Sequence, residues 1–109
     1  MYMAYIVNLQ AIADELEFDV EDIEMIMDSF YENAQITLGD MKVAIELKDF
    51  EKIVFSAHGI KGSALNLLLE DIAKVSGEIE SQALAKSDSK YLEYYSQLKS
   101  LIDGLKERV

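Results

Sequence analysis

The only imidazole in this chain, His58, stands in the run Ala57-His58-Gly59-Ile60-Lys61-Gly62-Ser63-Ala64, within a stretch whose apolar spacing is helical. With an ordinary pKa of about 6.5, an exposed imidazole is largely neutral near pH 7 and suited to nucleophilic attack. Lys61 and Gly62 follow it by one helical turn, on adjoining parts of the same surface. Glycine inside a helix costs roughly 1 kcal/mol relative to alanine. Two glycines, Gly59 and Gly62, beside a titratable nucleophile point to a surface that another molecule must approach closely.

Several chemistries fall away at once. One histidine and no cysteine lack the clustered nitrogen and sulfur ligands of a zinc site. No second histidine and no nucleophile elbow are present for a hydrolytic triad, and no glycine-rich phosphate loop follows a strand. What remains is an imidazole acting alone as a nucleophile, for which phosphorus is the apt electrophile and a transient phosphoramidate the product. Lys61 would then offset charge on the phosphoryl oxygens as a mobile point charge. Gly62 would clear space for the loop that carries the phosphoryl group. Taken singly, His58 reads more simply as a surface histidine and Lys61 as a solvated lysine; their joint spacing favours the chemistry.

The elements that must position these residues are legible as apolar periodicity. A short first helix spans Asn8 to Leu16, and Asp19 reads as the N-cap of a long second helix with Glu21 and Asp22 in its first turn. Its stripe is Ile23, Ile26, Met27, Phe30, Ala34, Leu38, Met41, Ala44 and Ile45, running to about Leu47. Asp49 caps the next helix, whose inward positions are Phe50, Ile53, Val54, Ala57, Ile60 or Lys61, Ala64 and Leu68. Leu69-Glu70-Asp71 reads as a turn, after which Ile72, Val75, Ile79, Ala83 and Leu84 mark a further helix. Lys86-Ser87-Asp88-Ser89 breaks the pattern, with Asp88 or Ser89 as cap. The last helix carries Tyr91 or Leu92, Tyr95, Leu98, Leu101, Ile102 and Leu105. The carboxylate pairs Glu21-Asp22 and Glu70-Asp71 are explained by helix starts and are given no catalytic role.

No strand alternation is sustained, so the expected fold is all-α: an antiparallel up-down four-helix bundle with a short additional N-terminal helix across one end. At about 100° per residue, His58 lies roughly 100° from the centre of its apolar stripe, at the edge of the core. Phe55 and Gly62 flank it on one side and Lys61 on the other.

The 109 residues, half of them apolar, are read as a single domain. Twenty-one acidic against ten basic residues give a formal net charge of −11, which opposes nucleic-acid binding and leaves no polybasic membrane site. The N-terminal residues lack the basic region of a secretory signal, the apolar runs are too short for a membrane span, and a cytoplasmic location is expected. Charge and patterning favour a monomer.

The run from Ala57 to Ala64 resembles the motif of the histidine-containing phosphotransfer (HPt) family, His-x-x-Lys-Gly-[Ser/Ala/Gly]-Ala, often preceded by alanine. Ala44, Ile45, Asp49, Phe50, the Phe30-centred helix and Glu80 also fall where the family has counterparts, so the likeness covers essentially residues 19–108 of a single domain, 1–109. The resemblance implies a phosphocarrier rather than an independent enzyme. His58 would exchange a phosphoryl group, through Nε2, with the aspartate of a receiver domain in a two-component phosphorelay. It implies no cofactor in this chain, with Mg²⁺ on the partner receiver. Lys61 would support phosphoryl charge, and Phe55, Gly59, Gly62, Ser63 and Leu65 would meet the partner. Glu80 matches a position where the family often carries Glu or Gln near the imidazole; it either holds Nδ1–H or is a solvated charge. The chain departs from the family in having Leu68, not glycine, about ten residues after the histidine, and Gly59 directly after it. Two other readings share the sequence: the phosphoacceptor domain of a chemotaxis-type kinase, and a helical binding module whose histidine is never phosphorylated.

Overall fold

The computed structural model of the chain describes residues 7–87 and 90–106. They form five α-helices, α1 Leu9–Leu16, α2 Val20–Glu46, α3 Phe50–Asn66, α4 Glu70–Leu84 and α5 Tyr91–Asp103, and a closing 3-10 turn, Gly104–Lys106. No β-strand occurs among the described residues. Each helix packs on the next, and α2 also packs on α5, so α2 to α5 close a ring around the core while α1 lies against α2. The Tyr95 hydroxyl donates to the Leu38 carbonyl at 3.1 Å, and Gln35 donates to Asp103 at 2.6 Å, fastening α5 to the middle of α2. Phe50 and Tyr91 meet with ring centroids 6.4 Å apart, joining the starts of α3 and α5.

The apolar stripes supply the core: Ile23, Met27, Leu38 and Met41 from α2, Ile53, Ala57, Ile60 and Ala64 from α3, Ile72 and Ile79 from α4, and Leu98 and Ile102 from α5 are all buried. Between α3 and α4 the buried residues are often small. Ala57 and Ala64 from α3 and Ala73, Ser76 and Ala83 from α4 lie in this layer. Small side chains let two helices approach closely, and this pair carries His58, Lys61 and Glu80.

Five expectations need correction. Asp19 occupies the N-cap position of α2, but its side chain makes no capping hydrogen bond; its carbonyl instead accepts from Asp22 and Ile23. The turn expected at Leu69-Glu70-Asp71 lies earlier, at Leu67 to Leu69, and Glu70 and Asp71 already form the first turn of α4. Leu68 is consequently displaced from the core, since the chain reverses there. Ile26 and Leu84 are also exposed, Ile26 at the junction of α2 with α3 and Leu84 as the last residue of α4. The capping roles considered for Asp88 and Ser89 lie outside the described residues. Asn8 and Asp49, by contrast, do cap, accepting from the amides of Ala11 and Lys52.

The four connections share one device. In each, a residue with left-handed φ follows the helix, and the next amide reaches back to a carbonyl five residues earlier: Phe18 to Ala13, Asp49 to Ala44, Leu69 to Ala64 and Ser87 to Gln82, at 2.9 to 3.0 Å. This is the Schellman closure, whose left-handed position is usually glycine. Here that position holds Glu17, Lys48, Leu68 and Lys86, with φ between 53° and 59°. No glycine among the described residues has positive φ, so glycine has been spent inside helices and withheld from the turns that favour it. A side chain in left-handed backbone costs about 1–2 kcal/mol. Lys86→Gly is therefore expected to stabilise the chain by about 0.5–1 kcal/mol, raising Tm by several degrees, whereas Lys86→Val should lower it. Thermal unfolding followed by circular dichroism measures both.

Candidate functional site

Helical phase brings His58 and Lys61 to the edge of α3 that faces α4, and Glu80 lies across from them on α4. One oxygen of the Glu80 carboxylate is 2.7 Å from His58 Nδ1, and the other accepts from Lys61 Nζ at 2.6 Å. A single carboxylate thus bridges the imidazole and the ammonium. The three side chains differ sharply in exposure: His58 is 68% accessible, Lys61 32% and Glu80 13%. The carboxylate is the sheltered member and the ring the presented one.

This geometry fixes protonation. The hydrogen bond from Lys61, foremost, and that from His58 lower the Glu80 pKa from its ordinary value despite the opposing effect of burial. An ionised carboxylate only accepts hydrogen bonds, so the His58 nitrogen facing it must carry the proton. The neutral ring is then the Nδ1–H tautomer, and its lone pair sits on Nε2, which has no partner among the described residues. A carboxylate that orients an imidazole and sets its tautomer is a recurrent device of histidine chemistry. The same carboxylate holds Lys61 one turn from the ring, and the lysine is not free in this state.

Gly77 is a residue the sequence reading passed over. It stands one helical turn before Glu80, and a Cβ built there would meet Lys61 Cδ at 3.5 Å. That is an ordinary van der Waals distance, so the Lys61 stem runs against α4 at this point on its way to the carboxylate. The signal was its spacing from Glu80, which places both on one face of α4.

The other residues singled out from the sequence form a surface around this triad. Phe55 is 77% exposed, and Gly59, Gly62, Ser63 and Leu65 are exposed as well. Phe55, His58 and Gly59 border a 620 Å³ hollow between α2 and α3 that also takes in Thr37, Asp40 and Val43 of α2. Gly59 and Ser63 border a second hollow of 430 Å³ on the same helix pair. Gly62 and Leu65 border neither. The α2 contributions were not foreseen, because Thr37, Asp40 and Val43 become neighbours of the histidine only when α2 is laid beside α3. A Cβ at Gly59 or Gly62 would meet nothing within 4 Å. Neither internal packing nor positive φ requires glycine at these positions.

An all-helical chain with one presented imidazole in a His-x-x-Lys-Gly run defines a class, that of histidine-bearing helical modules. Residues 25–108 match the family model described as Hpt domain, and the chain belongs to that family. Members are phosphocarrier modules of phosphorelays that interact with receiver domains and are generally not enzymes. No curated protein and no solved structure matches the chain. Among the described residues, no helix is long and apolar enough to cross a membrane.

Two stability measurements follow. Because the folded pKa of Glu80 is depressed, its contribution is complete above the ordinary carboxyl value of 4.5 and is lost as pH falls through the lower folded value. The stability advantage of wild type over Glu80→Gln should therefore be constant near neutrality and shrink in acid; an advantage that grows below pH 4.5 would contradict the bridge. Gly59→Ala and Gly62→Ala should each stabilise the helix by about 0.5–1 kcal/mol, read as a raised Tm.

Proposed function

We propose that the protein is a histidine phosphotransfer carrier in which His58 Nε2 accepts a phosphoryl group from the aspartyl phosphate of a receiver domain and returns it to another. The observation that carries this reading is the Glu80 bridge, which leaves Nε2 unprotonated, presented and beside an ammonium. In the forward step the Nε2 lone pair attacks phosphorus, the N–P bond forms, and the acyl P–O bond breaks with release of the receiver's aspartate carboxylate. The ring keeps its Nδ1 proton, and the positive charge left on it is offset by Glu80 across that hydrogen bond. The reverse step retraces these changes. Mg²⁺ belongs to the receiver, where it would neutralise the carboxylate and phosphoryl charge; this chain supplies an oriented nucleophile and a nearby cation.

Lys61 takes the role of phosphoryl counter-charge once the group arrives, leaving Glu80 for the new anion. Gly62, and with it Gly59, keeps the backbone bare where the receiver's active-site loops come down, and Phe55, Ser63 and Leu65 supply contact area. The scaffold is read as an antiparallel up-down four-helix bundle of α2 to α5, supported by their closed ring of packing and by the tight three-residue connections on either side of α3. A cytoplasmic monomer suits such a carrier.

The test is incubation with a Mg²⁺-loaded, phosphorylated receiver domain, scoring acid-labile, base-stable phosphate on this chain. Wild type should be labelled and His58→Gln should not; label on the His58→Gln chain would overturn the assignment of the acceptor. Lys61→Ala should slow transfer by about 10- to 100-fold, the range expected for losing one charge-assisted contact in the transition state, with helicity unchanged. Gly62→Gln should obstruct transfer from a receiver without unfolding the chain, and normal transfer by that variant would sink the close-approach role.

A further inference from the structure

The face that presents His58 is apolar along its middle and acidic along one side. The two hollows between α2 and α3 meet at Thr37 and Gly59. Exposed apolar side chains line both, Phe55 at 77% and Leu47 at 73% exposed with Val43 in one, Phe18 and Ile26 in the other. Single exposed apolar residues are ordinary, but a contiguous group beside a reactive side chain marks a contact surface.

The acidic side is α2. Seven of its eight charged side chains are carboxylates, Lys42 being the exception. Asp40 borders the same hollow as His58, and Asp22 borders a neighbouring one with Phe18, Met25 and Ile26. Glu32 stands one helical turn after Ser29, which borders the other hollow. All three carboxylates are exposed and have no ionic partner among the described residues. Lys52, which borders the same hollow as Asp40, pairs with Asp49 at 3.9 Å, and Lys42 is the one cation that α2 itself sets against its seven carboxylates. The α2 side of the footprint therefore carries a net negative charge.

We propose that this face selects a receiver domain whose docking edge is apolar at its centre and basic along the rim that meets α2. The inference rests on the phosphocarrier reading and adds to it the chemistry by which the partner is chosen. Opposed rim charges steer encounter and suppress like-charged competitors, while the apolar centre holds the complex after contact. A second copy of this chain is disfavoured as the occupant, because it would bring a net charge of −11 against the same sign.

The experiment uses a phosphorylated, Mg²⁺-loaded receiver that labels His58, and reads transfer under subsaturating and saturating conditions as NaCl is raised. Between about 20 and about 500 mM the subsaturating rate should fall at least about tenfold while the saturating rate holds, because screening acts on encounter. The triple variant Asp22→Lys, Glu32→Lys, Asp40→Lys, checked for unchanged helicity, should lose about tenfold or more in the subsaturating rate at low salt, with a flattened salt dependence and an unchanged saturating rate. Labelling of His58 at a rate indifferent to salt and to charge reversal overturns this proposal and leaves the carrier reading intact. Failure of every receiver to label His58 at any salt overturns both. Self-association of the chain that masks His58, seen by sedimentation equilibrium, assigns the face to a second copy and also overturns the proposal.

Discussion

The site depends on one carboxylate serving two donors. Glu80 faces Nδ1 of His58 with one oxygen and the ammonium of Lys61 with the other, at 2.7 and 2.6 Å. Without it the imidazole would be free to carry its proton on either nitrogen, and the lysine would have no reason to rest one turn away. Because the carboxylate is sheltered and the ring exposed, the ring is held from below and presented outward. An arrangement of this kind needs α3 and α4 at close range, and the small residues between them, Ala57, Ala64, Ala73 and Ser76, provide it. Gly77 lies where the Lys61 stem passes along α4.

Glycine use separates what the fold needs from what the site needs. Every helix reversal with a left-handed residue is made without glycine, at Glu17, Lys48, Leu68 and Lys86. Gly59 and Gly62 sit instead in the middle of α3, where nothing inside the molecule would collide with a side chain. Both choices cost stability locally. The turns are secured by paired backbone hydrogen bonds and, at Leu67 and Leu69, by burial on either side of the reversal. The α3 glycines have no such compensation within the chain, which is the expected pattern where a surface is shaped for a partner.

Most of the fold was legible as spacing. The buried residues of α2 recur at three and four, and Asn8 and Asp49 cap where short polar side chains precede apolar stripes. The turn between α3 and α4 was displaced because Leu67-Leu68-Leu69 has no local breaker; leucine is a good helix former, and tertiary burial, not propensity, ends that helix. Asp19 looked like a capping side chain, but residue type alone does not fix the rotamer that makes the bond. At the site, His58, Lys61 and Gly62 were legible because they share one helix. Glu80 was reached only through resemblance, since its contact spans two helices, and Thr37, Asp40 and Val43 were invisible for the same reason; Gly77 is legible only as a neighbour of Glu80 on α4. Local chemistry can be read from spacing, whereas chemistry assembled between helices requires their packing.

The central claim is that Glu80 holds His58 as the Nδ1–H tautomer, leaving Nε2 as the nucleophile. Long-range ¹H–¹⁵N NMR of the sole imidazole, recorded at alkaline pH, reports the two ring nitrogens directly. The bridge predicts that Nδ1 shows the shift of a protonated nitrogen and Nε2 that of a bare one, with Glu80→Gln weakening this preference. A ring protonated at Nε2 in the wild-type protein would contradict the account.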